Sequence, residues 1–131
     1  MKLLDTDTCI GILKGIPSVV EAWRGCNERC ALPSMVIGEL FFGAANSRNP
    51  SAEDERVNRF SDIFDELKPT RSVLRKFGEI KAKLLKTGGL LPDADLLTAA
   101  TALDSGAVLV TGNTKHFCRI PELPLENWFA R

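Results

Sequence analysis

The segment AVLVTGN, residues 107–113, decides the predicted fold. Its first five residues are apolar or β-branched and lie between Gly106 and Gly112. This pattern is typical of a short strand that is buried on both faces of a parallel sheet. In the rest of the chain, short apolar runs alternate with segments in which apolar residues recur at helical spacing. Alternating strands and helices predict an α/β fold with a central, mainly parallel sheet flanked by helices on both faces.

The other elements are predicted from apolar spacing and from helix start and stop signals. Two further strands are predicted at residues 2–5 and 30–32. A helix follows the first strand, with Asp7 or Thr8 as its cap. Further helices are predicted at residues 17–23, 34–45, 52–66, 72–86 and 94–103, with a short strand or extended link leading to Thr70.

The chain of 131 residues, 44% of them hydrophobic, is expected to form a single domain over residues 1–131. No run reaches the roughly 18 to 20 apolar residues that a membrane-spanning helix needs. The N-terminus begins a strand and does not show a signal-peptide pattern, so a cytoplasmic location is expected. The four cysteines are expected to be reduced thiols.

Two carboxylates occupy positions that suit ligands. Asp5 follows the first predicted strand, and ligand crevices in open α/β sheets form at the carboxyl ends of strands. Asp5 could instead cap the next helix, although Asp7 fits that role better. Glu39 is the only charged residue of an apolar helix, and an unpaired buried carboxylate is costly unless a metal or a partner compensates it. An arginine from elsewhere is the alternative partner of Glu39.

Asp93 and Asp95 open a later helix and point to nearly opposite sides of it. Asp95 shares its face with small residues that allow close packing, so we expect Asp95 to be the ligand and Asp93 to be a helper. Asn113 follows the buried strand at residues 107–111. It could orient a water molecule, or it could simply form the turn after Gly112.

Three carboxylates and a polar strand end make an all-oxygen site, which Mg²⁺ prefers and Mn²⁺ also accepts. A zinc site is disfavoured, because the spacings of His116-x-Cys118 and Cys26-x₃-Cys30 miss the common zinc patterns. The single histidine also disfavours a nucleophilic triad. A Mg²⁺ ion held by these carboxylates would activate a water for hydrolysis.

Four sequence blocks together resemble the PIN-domain toxins of VapC type, the nucleases of bacterial and archaeal toxin–antitoxin pairs. The blocks are LLDTD (3–7), SMVIGEL (34–40), PDADLLTAATAL (92–103) and AVLVTGNTKHF (107–117), and the resemblance extends from Leu3 to Trp128. It implies a Rossmann-like fold, Mg²⁺-dependent endoribonuclease activity on tRNA or another structured RNA, a homodimer and an antitoxin partner.

The resemblance places Asp5, Glu39 and Asp95 on the acidic metal-site positions of the family. Asn113 falls where many relatives have a fourth acid, and His116 falls where relatives often have Asp. The expected roles are direct metal binding by Asp5 and Asp95, and either metal binding or proton acceptance by Glu39.

Two binding surfaces are expected. RNA phosphates could follow a basic arc on the helix at residues 72–86, away from its apolar stripe of Leu74, Phe77, Leu84 and Leu85; a merely solvated face is the alternative. The basic residues of this arc are Arg75, Lys76, Lys83 and Lys86. An antitoxin helix could bind between the N-terminal helices and the helix at residues 34–45, unless those apolar residues simply cover the sheet.

Two other functions remain open from the residues. A PIN-like domain could bind RNA or protein without cutting, because the fourth acid is missing and the net charge is zero. The segment from Asp5 to Thr8 also matches the D-x-D-x-T motif of haloacid-dehalogenase-type phosphatases, with Asp5 and Asp7 as the reacting carboxylates. That motif lacks the acidic pair that it needs after a later strand.

Overall fold

The computed structural model describes residues 1–129, in which five parallel strands form one sheet. The strands are β1 (Lys2–Leu4), β2 (Cys30–Pro33), β3 (Asp65–Leu67), β4 (Val108–Val110) and β5 (Leu125–Glu126). The helices are α1 (Thr6–Leu13), α2 (Pro17–Arg24), α3 (Ser34–Ala45), α4 (Pro50–Ser61), α5 (Arg71–Thr87), α6 (Asp93–Ser105) and α7 (Thr114–Phe117). The sheet order is β3-β2-β1-β4-β5, and every neighbouring pair is parallel. The predicted α/β fold is confirmed.

Two hydrophobic cores lie on the two faces of the sheet. Successive residues of a strand point to opposite faces, so Leu3 belongs to the core with α5 and α6, whereas Leu4 belongs to the core with α1 to α4. Leu109 and Val110 of β4 divide between the cores in the same way. Burial on both faces explains why the three central strands, β2, β1 and β4, are largely apolar runs without polar alternation.

The predicted helix at residues 52–66 is wrong at its C-terminal end. Helix α4 ends at Ser61, and Asp65 and Glu66 belong to β3 at the edge of the sheet. In β3 these residues pair with Ala31 and Leu32 of β2. Such long-range pairing cannot be predicted from the spacing of apolar residues along the chain. Helix α7, with four residues, and strand β5, with two, were not predicted.

The order of the strands positions a crevice. From β1 the chain goes to β2 and β3 on one side, and β4 and β5 lie on the other side. The topological switch point therefore lies between β1 and β4, where open α/β sheets bind ligands at the carboxyl ends of the strands. There the Asp5 N–H donates to the Val110 carbonyl at 2.9 Å.

The helices within residues 1–129 are all too short or too polar to cross a lipid bilayer.

Candidate active site

Asp5 is the buried carboxylate at the centre of this crevice. It is the N-cap of α1: its Oδ1 accepts from the Thr6 N–H at 2.9 Å. Its Oδ2 accepts from the Thr111 hydroxyl at 2.8 Å. Burial raises the pKa of Asp5 to about 6, the Thr111 hydrogen bond opposes this shift, and the charges of Asp7 and Asp95 add to it. The prediction that Asp7 or Thr8 caps α1 is wrong.

Glu39 reaches the same crevice from α3. Its Oε1 accepts from the Thr6 hydroxyl at 2.7 Å, so the first residue of α1 connects it to the cap at Asp5. Its negative charge raises the pKa of Asp95. In the described part of the chain no lysine or arginine forms an ion pair with Glu39, so the alternative of an arginine partner has no support there.

Asp95 lies in the first turn of α6 and faces the other carboxylates. Its side chain is 23% exposed, and burial, followed by the charge of Glu39, raises its pKa, whereas His116 lowers it. Asp93 points away: its side chain is 67% exposed and accepts from Lys81 Nζ at 2.9 Å. The structure therefore brings Asp95 to the crevice and leaves Asp93 outside it.

Asn113 and His116 form the rim of the crevice after β4. The Asn113 backbone N–H donates to the Thr111 hydroxyl oxygen at 3.0 Å, and its side-chain Nδ2 lies 2.8 Å from His116 Nδ1. His116 Nδ1 is also 3.9 Å from Asp95 Oδ2. Thr111, Asn113 and His116 thus connect Asp5 to Asp95.

Asp7 has a positioning role that the sequence analysis missed. Its Oδ2 accepts from the Gly112 N–H at 2.9 Å and so fixes the turn that follows β4. A Cβ atom at Gly112 would lie 2.9 Å from that oxygen and 2.9 Å from the ring of Phe129, so any larger residue would displace one of these side chains. The available sequence signal was a glycine directly after a buried strand, which often marks a close approach.

The crevice fits a partly hydrated divalent cation. Among residues 1–129 no group of three His, Cys, Asp or Glu side chains lies close enough together to hold an ion alone. Mg²⁺ usually keeps several waters and takes only one or two protein carboxylates. Asp5 and Asp95 provide such a pair. The pKa of each is raised, first by burial and then by the negative charges of neighbouring acids.

The four basic residues predicted to bind RNA lie on one side of α5, but its apolar stripe differs from the prediction. Leu74 and Leu85 are 51% and 66% exposed, whereas Val73, Ile80 and Leu84 are buried. The periodicity alone could not distinguish the two apolar sets. Lys76 pairs with Glu79 at 3.6 Å, while Arg75, Lys83 and Lys86 are exposed.

Replacement of Thr111 by Val tests the connection between Asp5 and Asn113. The buried hydroxyl donates to Asp5 and accepts from Asn113, and valine leaves both groups without that partner. We expect RNA cleavage to fall by about ten- to hundredfold, as for other groups that orient metal ligands. Thr101→Val is the control, because the Thr101 hydroxyl bonds only within α6, to Leu97 O. If Thr111→Val and Thr101→Val cleave RNA equally well, Thr111 is not part of the site.

Comparison with known proteins shows the same family along nearly the whole chain. A model of the PIN domain matches residues 2–123. The chain is 30% identical over 129 residues to "Ribonuclease VapC2" of Rickettsia felis and 31% identical over 127 residues to "tRNA(fMet)-specific endonuclease VapC" of Salmonella typhimurium; each alignment covers 96% of both chains.

Solved structures agree with the sequence comparison. The crystal structure of VapBC2 from Rickettsia felis bound to a promoter DNA fragment matches with a TM-score of 0.90 at 29% identity, over 97% of this chain and 98% of that one. DNA-bound VapBC from Salmonella typhimurium matches with a TM-score of 0.90 at 30% identity, over 97% of both chains. This chain therefore belongs to the PIN domain family, among its VapC-type ribonucleases.

Proposed function

We propose that this protein is a Mg²⁺-dependent endoribonuclease that cuts tRNA or another structured RNA in the cytoplasm as the toxin of a toxin–antitoxin pair. The observation that carries the proposal is the convergence of Asp5, Glu39 and Asp95 at the switch point of the sheet. Family membership supplies the reaction class. The names of the relatives, which include tRNA(fMet)-specific endonucleases, favour tRNA as the substrate.

In the proposed mechanism, Asp5 and Asp95 hold the ion, and Mn²⁺ can replace Mg²⁺. When bound, the ion supplies positive charge that activates water and neutralises the leaving oxygen. Glu39, held by the Thr6 hydroxyl, binds the ion or accepts the proton of the attacking water. His116, whose ring lies against the Asn113 side chain, can donate a ring N–H to a phosphate oxygen. Asp93 has no part in this mechanism.

A nuclease assay with total tRNA and rRNA tests the proposal. We expect cleavage with Mg²⁺ or Mn²⁺ and none with EDTA. Stable RNA binding without cleavage in any divalent metal would favour the non-catalytic alternative, for which the presence of Asn113 in place of an acid is the motivating observation. The match to the PIN family argues against the phosphatase alternative. In addition, Asp7, which that alternative needs as a reacting carboxylate, accepts a hydrogen bond from the backbone N–H of Gly112.

The antitoxin partner is supported by the VapBC complexes among the structural relatives. Of the apolar residues predicted to line the docking surface, Val19 is buried, and Ile12, Leu13, Ile16 and Trp23 pack against the core, so most of them cover the sheet. An open groove does lie between α1 and α3, as predicted, and α4 also contributes to it. It has a volume of about 320 Å³, and its lining includes Ile10, Glu39, Leu40, Gly43 and Val57.

We propose that an amphipathic antitoxin helix binds in this α3–α4 groove through apolar residues at three- and four-residue spacing. Ile10, 38% exposed, supplies apolar surface, and the buried Leu40 lines the groove beneath it. Glu39 belongs to both the groove and the candidate active site. A basic residue of the antitoxin that pairs with Glu39 would therefore compete with Mg²⁺, which explains how binding could inhibit cleavage.

Replacement of Gly43 by Trp should block the partner and spare the enzyme. A Cβ atom at Gly43 meets nothing within 4 Å, so the added ring projects into the groove without straining the fold. We expect the variant to lose co-purification with the small protein encoded beside it, and to keep RNA cleavage. Gly78→Trp on α5 is the matched control, because Gly78 is equally open. Unchanged partner affinity of Gly43→Trp would refute the assignment of the groove.

We also expect a homodimer, as the family resemblance implied. Large apolar side chains remain exposed on α3 and α5, among them Phe42, Leu74 and Leu85, and a second copy of the chain would cover some of them. Light scattering of the purified protein should give twice the 14.4 kDa mass of the chain. A single-chain mass at micromolar concentration would contradict this expectation.

A further inference from the structure

A pocket of about 310 Å³ lies between the C-terminal half of α5 and the segment that follows α7. Its apolar floor is formed by Ile80, Leu84 and Ile120, and Lys83, Arg119 and Glu122 lie at its edge. We call it the α5 pocket. Its volume is at the lower end of the range for ligand-binding clefts, and an apolar floor with a few charged groups is typical of them.

Both walls of the α5 pocket continue along the chain into elements of the candidate active site. Helix α5 ends at Thr87, and the next helix, α6, carries Asp95 in its first turn. On the other side, α7 carries His116, and Arg119 follows three residues later. The Arg119 guanidinium lies 3.4 Å from the Leu90 carbonyl and so closes the pocket against the α5–α6 link. The pocket therefore adjoins the link that leads into the helix of Asp95.

The charges at its edge suit a nucleotide. In residues 1–129 the ion pairs of α5 use Lys76 and Lys81, which leaves Lys83 without a carboxylate partner. Lys83 and Arg119 can contact phosphate, the apolar floor can hold a base, and Glu122 can accept an N–H of the base. An adjoining cavity of about 380 Å³ shares Lys83 and Glu122 and adds Lys86. Its cations extend the basic surface along α5.

We propose that the α5 pocket binds one nucleotide of the RNA strand that is cleaved. The proposal rests on the proposed ribonuclease function and extends it, because it assigns Arg119, Ile120 and Glu122 to substrate binding. It also explains how a protein of zero net charge can hold RNA: the attraction is local, on one side of α5 and at Arg119.

Chemical-shift mapping by NMR tests the pocket directly. Adenosine 5′-monophosphate, added to the protein in EDTA, should shift the backbone amides of Thr87, Arg119 and Glu122. Inorganic phosphate at the same concentration should shift them much less, because it lacks a base. Equal shifts with both probes, or shifts confined to the surroundings of Asp5 and Asp95, would overturn a nucleotide pocket.

RNA binding provides the second test, in a cleavage-deficient Asp5→Asn background. Lys83→Ala with Arg119→Ala should weaken affinity at least tenfold. The slope of log affinity against log salt should fall by about 1.4, since each phosphate contact to a single strand contributes about 0.7. Arg24→Ala with Arg59→Ala removes equal charge from other exposed helix positions and should leave affinity unchanged.

The outcomes separate this proposal from the proposed function. If the Lys83 and Arg119 double variant binds RNA as tightly as its background, the pocket is refuted and the nuclease assignment stands. If the background protein binds no RNA and the wild-type protein cleaves none, both are refuted.

Discussion

Replacement of Asp95 by Asn is expected to lower RNA cleavage at least about a hundredfold while the protein keeps its fold. A bound divalent ion contributes several kcal/mol of transition-state stabilisation, and each 1.36 kcal/mol corresponds to a factor of ten in rate. The carboxylate of Asp95 is half-buried, and burial, followed by the charge of Glu39, raises its pKa. Removal of its charge should relieve repulsion in the metal-free protein, so the loss of activity should not follow from unfolding.

Asp93→Asn is the matched control for this prediction. Asp93 lies two residues away on the same helix, but its exposed side chain pairs with Lys81. Such surface ion pairs contribute little to stability, and this one is outside the crevice. We expect near wild-type cleavage, measured beside thermal melting of both variants. Full activity of Asp95→Asn together with an inactive Asp93→Asn would mean that the other member of the pair is the ligand.

Replacement of Asp5 by Asn is expected to abolish cleavage and yet stabilise the metal-free protein at neutral pH. Burial raises the pKa of Asp5 from 3.8 to about 6, so folding is opposed by the cost of keeping this carboxylate charged. A shift of this size corresponds to about 3 kcal/mol well above pH 6. Because asparagine does not reproduce the hydrogen bond from Thr111, we expect a net gain on the order of 1 to 2 kcal/mol.

The pH dependence of this gain has a definite sign. A carboxyl group with a raised pKa in the folded state destabilises the fold above that pKa, and the penalty disappears as pH falls from about 6 to 3.8. The difference in melting temperature between Asp5→Asn and wild type, measured in EDTA, should therefore be several degrees at pH 8 and small at pH 4. Added Mg²⁺ should stabilise the wild-type protein and have little effect on the variant. A variant that melts below wild type at pH 8 would contradict this account.

The sequence predicted most of the fold because its signals are local. Strand β4 is a β-branched run between glycines, and α5 and α6 end at Gly88 and Gly106, both in the left-handed conformation. Local patterns failed where tertiary pairing decides the structure. Asp65 and Glu66 look like the end of an amphipathic helix, but they pair with β2, and β5 is too short to carry a pattern.

The acidic residues of the candidate site could be predicted from the sequence, but the hydrogen bonds that connect them could not. The positions of Asp5, Glu39 and Asp95 follow from strand ends and from charges on apolar helices, and the family resemblance added the same residues. The hydrogen bonds that organise them join residues distant in sequence, such as Thr6 to Glu39 and Asp7 to Gly112. The short α7, which brings His116 to within 3.9 Å of Asp95, left no signal in the spacing of apolar residues.

The most direct test of a carboxylate–metal ribonuclease site is to determine the ends of the RNA that the purified protein produces with Mg²⁺. A divalent ion held by Asp5 and Asp95 would activate water as the nucleophile, so the ribose 2′-hydroxyl would not be used. The account therefore predicts products with 5′-phosphate and 3′-hydroxyl ends, formed with Mg²⁺ or Mn²⁺ and absent in EDTA. Products with 2′,3′-cyclic phosphate ends that form equally well in EDTA would contradict it.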